Sequence, residues 1–92
     1  MDFVKIFNIT LTEAKYKEPE ALATSLNDTM EELNIDSLDC MLISSLLADV
    51  FGISEEKIDG MPMTSLTDLQ TYINKHKTKD VESEEAVLAA VA

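Results

Sequence analysis

Apolar residues recur at helical spacing in three stretches of the chain. In the first, Val4, Phe7, Leu11 and Ala14 stand at i, i+3, i+7 and i+10, which predicts a helix from Asp2 to about Tyr16. The β-branched Ile9, Thr10 and Thr12 weaken its intrinsic preference, so packing must hold it. Pro19 ends the pattern or opens a short turn over Pro19–Leu22, where proline suits the first helical position. Ser25 to Ile35 reads as a long connection with a turn signal at Asn27-Asp28. Its two apolar pegs, Met30 and Leu33, pin it to the core.

The second stretch is the strongest. Asp36 is an N-cap before a run from Ser37 to Phe51, Asp39 follows three positions later as a weak capping box, and Gly52 provides the stop. Ser54 to Ile58 predicts one short turn or helix ended by Asp59-Gly60, and Pro62 forces extended geometry on Met61. Thr64 or Ser65 then caps a last helix to about Lys75 or His76, with Leu66, Leu69, Tyr72 and Ile73 as its stripe. Lys75, His76 and Lys77 suit the negative end of its dipole. Beyond Thr78 the chain turns polar, then small and apolar. Residues 79–92 are expected to be a disordered tail or linker behind one domain over 1–78. The expectation is an all-α chain: three main helices, one short helix and a long first loop.

The second helix has two unlike faces. At about 100° per residue from Ser37, the residues Leu46, Val50, Ile43, Leu47, Cys40 and Phe51, with Asp39, fall between roughly 180° and 320°, a core stripe. The opposite arc holds Ser37, Ala48, Met41, Ser45, Leu38, Asp49 and Leu42. A solvent face should be charged, yet Leu38, Met41 and Leu42 lie here beside a serine at the helix start. A contiguous apolar patch of this kind marks a docking surface. Ser37 occupies the first turn, where unpaired N–H groups and the dipole favour an anion such as a phosphodiester.

Charge sharpens this picture. Of the 92 residues, 7 are Lys or Arg and 18 are Asp or Glu, a formal charge of −11. Ten acids and no Lys or Arg lie between Glu18 and Glu56, so the centre of the chain is anionic. This argues against nucleic acid or an anionic membrane surface as partner. One cysteine supplies neither a disulfide framework nor a zinc site, and Asp2 stands where a secretion signal would want positive charge. A reduced, cytoplasmic monomer is expected. Cys40 falls in the core arc as an inert thiol. His76 is alone at a helix end, Ser44 and Ser45 have no histidine base, and Asp59-Gly60 is a turn rather than a calcium loop. No acid–base or nucleophile–base pair is visible, so an enzyme is not expected.

The flanks of Ser37 carry a resemblance. Asp36-Ser37-Leu38-Asp39 resembles the Asp-Ser-Leu signature of acyl carrier proteins, whose serine bears a 4′-phosphopantetheine arm. Glu31-Glu32-Leu33-Asn34-Ile35 stands where carriers lead into that motif. Phe51-Gly52-Ile53 is similar to the end of their second helix, and Leu69-Gln70-Thr71-Tyr72-Ile73 to their last. The match spans roughly residues 3 to 76 without an evident gap.

The resemblance implies a four-helix carrier bundle with no catalysis of its own. A phosphopantetheinyl transferase would move the arm from coenzyme A to Ser37, and loading and downstream biosynthetic enzymes would act on an acyl or aminoacyl thioester held by it. The expected docking surface is Asp36, Leu38, Asp39, Met41, Leu42 and Asp49, with Ile58 and Met61 beyond the helix. A cargo pocket is expected between helices at Ile43, Leu47, Met61, Met63 and Leu66. Fatty-acid carriers have several glutamates along helix II; here Leu42 and Ala48 take equivalent positions and only Asp49 is retained. That departure points to polyketide, nonribosomal-peptide or other specialised pathways. The alternative is an acidic helical adaptor or inhibitor that binds a basic partner with no cofactor.

Overall fold

Side chains cap most of the helix starts. Asp2 accepts from Val4 N–H (3.3 Å), Asp36 from Asp39 N–H (2.9 Å) and Ser65 from Asp68 N–H (3.2 Å). A computed structural model describes residues 2–15 and 21–91. Among these it contains α1 (Phe3–Ala14), α2 (Ser37–Phe51), α3 (Glu55–Ile58), α4 (Leu66–His76) and α5 (Glu84–Val91), with no strand beyond an isolated bridge between Thr29 and Ser65. The expected all-α bundle is present at this level. The first helix ends at Ala14, just short of the expected Tyr16. Tyr16 to Glu20 lie outside the described residues, so of the expected Pro19–Leu22 turn only Ala21 and Leu22 are described.

Phe7, Leu11, Ile43, Leu47, Leu66, Leu69 and Ile73 are fully buried, joining α1, α2 and α4 in one core. The loop pegs Met30 and Leu33 are buried with them, as their spacing predicts. The wheel misplaces Ala48 of α2. Ala48 is buried rather than exposed, and Ser44 is buried too, its hydroxyl donating to Met41 C=O (2.9 Å). The reason is that α2 packs on α1, α3 and α5. A helix contacted on several sides buries a wider arc than a one-sided stripe.

The tail is the main correction. Residues Glu84–Val91 form α5, packed against α1 and α2, with Val87 and Val91 buried. Ser83 starts it, its hydroxyl accepting from Ala86 N–H (3.2 Å), and Lys5 on α1 pairs with Glu84 (3.0 Å). The bundle therefore has five helices among the described residues, where three main and one short were expected.

The chain after α4 also closes the end of α2. Thr78 and Lys79 N–H donate to Phe51 C=O, and the Thr78 hydroxyl donates to Gly52 C=O. Gly52 is left-handed at φ 64°, and a Cβ there would collide with Thr78 Oγ1. Gly52→Ala is expected to lower stability by about 1–3 kcal/mol. Chemical denaturation checks this; an unchanged midpoint would mean that the 77–79 segment yields freely.

Candidate functional site

Ser37 is placed by a loop that has its own internal bonding. Thr29 Oγ1 accepts from Glu32 N–H (3.1 Å) and donates to the Glu32 carboxylate (3.0 Å), a reciprocal cap. Asn34 then adopts φ 58°, with Asn34 N–H on Glu31 C=O (3.1 Å) and Ile35 N–H on Met30 C=O (3.0 Å). This is a Schellman turn, closed by the buried pair Met30 and Ile35. Met30 N–H also donates to Thr64 C=O (2.9 Å) and Leu66 N–H to Asp28 C=O (3.0 Å), fastening the loop to the start of α4. At its other end, the Asn8 side chain on α1 exchanges two 2.8 Å hydrogen bonds with the Ala23 backbone. Thr29-x-x-Glu32 and Asn34 carried the sequence signal for this local order, and a loop reading overlooks it.

The helix begins immediately after. Ser37 is the first residue of α2 and is exposed, while the Asp36 carboxylate turns back to Asp39 N–H. Around Ser37 the surface is apolar: Leu38 is 65% exposed, Met41 69% and Leu42 39%. Asp49 is exposed further along α2. Leu38, Met41 and Leu42 thus form an exposed strip on an acidic protein, as the two-faced pattern predicts.

Three of the expected docking residues are placed otherwise. Asp39 is not presented to solvent: Lys15 at the end of α1 holds it in a 2.6 Å ion pair whose side chains are only 20% and 13% exposed. Met61 is buried and Ile58 half-buried, so both form a wall rather than a contact surface.

That wall belongs to a groove of about 320 Å³ between α2 and the α3 region, lined by Cys40, Met41, Ser44, Ser45, Ile58, Asp59, Met61 and Met63. Met61 and Met63 are in the expected cargo pocket, but Ile43, Leu47 and Leu66 are not. They are fully buried in the core. The inner stripe of α2 is consumed by packing, so the groove is left to the residues beside it. Cys40 is half-buried rather than in the core; burial first, then the Asp36 and Asp39 carboxylates, push its thiol up. It stays protonated at neutral pH, a poor nucleophile. His76 tilts against the Tyr72 ring (4.4 Å), and the Tyr72 hydroxyl donates to Lys57 C=O (2.7 Å), closing α3.

The residues present fit a phosphodiester on Ser37. Ser37 is exposed, it stands in the first turn of α2 where the helix dipole favours an anion, and the first-turn acid Asp39 is balanced by Lys15. No group of three or more metal-ligating His, Cys, Asp or Glu is assembled among the described residues, and no helix there is long and apolar enough to cross a membrane. Comparison with known protein families, curated proteins and solved structures finds no match.

Proposed function

We propose that this protein is a carrier that bears a 4′-phosphopantetheine arm on Ser37 Oγ and presents acyl or aminoacyl cargo to partner enzymes. The observation that supports it is the accessible Ser37 in the first turn of α2, ringed by the exposed Leu38, Met41 and Leu42. The Asp-Ser-Leu signature and its flanks give that geometry its meaning. When bound, the arm supplies a terminal thiol on which cargo rides as a thioester. The chain's own residues do the rest. Asp36 fixes the start of α2 and hence the direction of Ser37, and the first-turn N–H groups favour the phosphate charge. Leu38, Met41 and Leu42 give partner enzymes an apolar surface to dock on. With so few acids on α2, a specialised polyketide or nonribosomal-peptide type of pathway fits better than primary fatty acid synthesis.

Incubation with coenzyme A and a broad-specificity phosphopantetheinyl transferase, followed by intact mass spectrometry, tests this. The wild type is expected to gain one arm and Ser37→Ala none. No gain on the wild type, or an equal gain on Ser37→Ala, would leave the acidic adaptor as the better reading. An adaptor would use the same charge and apolar strip but tolerate Ser37→Ala.

A further inference from the structure

The Lys15–Asp39 pair lies at a revealing place. Lys15 is the C-cap of α1 and Asp39 the third residue of α2, so each charge sits at the helix end whose dipole favours it. The two side chains are mostly shielded, and the carboxylate lies within the same helical turn as Ser37. Asp39 is therefore the one acid in the first turn of α2, and it is turned inward.

We infer that Lys15 is a specificity-determining residue. It withdraws Asp39 from the docking face, so that partners read the apolar strip at Ser37 rather than an acidic helix. This rests on the carrier reading. Coenzyme A is polyanionic, and the mouth of an enzyme that takes it favours Arg or Lys beside its phosphates. An accessible Asp39 beside Ser37 would be attracted to such a mouth. With Lys15 in place the Asp39 contribution is neutralised inside the carrier, and the exposed Asp36 and the strip Leu38, Met41 and Leu42 are what meets the partner. Lys15 acts through Asp39 and is thus a positioning residue.

Loading of Ser37 by a broad-specificity transferase with coenzyme A, measured across ionic strength, tests the inference. Lys15→Ala is expected to lower the KM for the carrier by about two- to fivefold at low salt, the range of an exposed ion pair. The gain should vanish as salt screens it, with kcat unchanged. Lys15→Arg should behave as wild type, and Lys15→Ala combined with Asp39→Asn should lose the gain. A merely structural pair would lower helicity without moving the salt dependence of KM. If Lys15→Ala lowers helicity, Lys15→Gln, which keeps most of the stem, takes its place in the same comparison. Equal KM for wild type, the neutral Lys15 variant and its Asp39→Asn double would overturn the inference while leaving the carrier reading intact. Failure of the wild type to load at all would remove both.

Discussion

Met41→Glu is expected to slow transfer to the cognate pathway enzyme by about ten- to a hundredfold. Burying a Met or Leu side chain at an interface contributes about 1.5–3 kcal/mol, and each 1.4 kcal/mol is about tenfold. Met41 is the most exposed residue of the strip, so its replacement leaves the core untouched. Leu42→Glu is expected to act in the same direction, but Leu42 also borders a small apolar groove with Ala14 and Leu46. Its effect therefore needs a parallel check of helicity. Asp49→Asn, by contrast, removes one exposed charge, worth at most about 1 kcal/mol and fading with salt. Transfer rate against ionic strength separates the two modes. A steep loss of rate with salt, together with indifference to Met41→Glu, would show that docking is electrostatic and return the protein to the fatty-acid type of carrier.

Val87→Asp is expected to release α5 and lower stability by about 2–3 kcal/mol. Val87 is fully buried where α5 meets α1 and α2, and full burial of a valine is worth roughly that much. A carboxylate there has no partner to offset its desolvation, so undocking the helix is the cheaper outcome. Leu88→Asp is the comparison: Leu88 is half exposed at the rim of a groove with Ile9 and Leu22, and its change is expected to cost less than that of Val87. Hydrogen exchange reads the same event directly. Amides over Val87 to Val91 should be protected in the wild type and exchange freely in Val87→Asp. Free exchange in the wild type would mean that α5 is not docked in solution.

Much of the frame was legible because its signals are local. Asp36, Ser65 and Gly52 set helix ends through bonds to neighbours two to five residues away, so residue type and position suffice. The exposed strip followed from the same logic. Leu38, Met41 and Leu42 lie in the arc opposite the core stripe, and all three are exposed.

Helix α5 was not legible, and the reason is energetic. Eight residues cannot sustain a helix alone, since helices shorter than roughly 12 residues are marginal in water. Its sequence offers only Ser83 as a cap and the pair Val87 and Val91 as a stripe. What holds it is the surface of α1 and α2, which exists only once those helices have met. The buried Ala48 has the same kind of cause, because α2 packs on α1, α3 and α5 and a wheel shows none of these partners.

The candidate site divides along the same line. Residue order alone placed Ser37 at a capped helix start among apolar neighbours, because the cap, the dipole and the wheel are properties of one segment. The wheel also put Asp39 in the core arc, while the carrier resemblance counted it among the docking residues. Only the tertiary structure brings Lys15 to within 2.6 Å of it and shields both side chains. Twenty-four positions separate them in the chain, and no periodicity or motif spans that interval. The pairing is set by how α1 packs against α2, which side-chain burial decides and residue spacing does not.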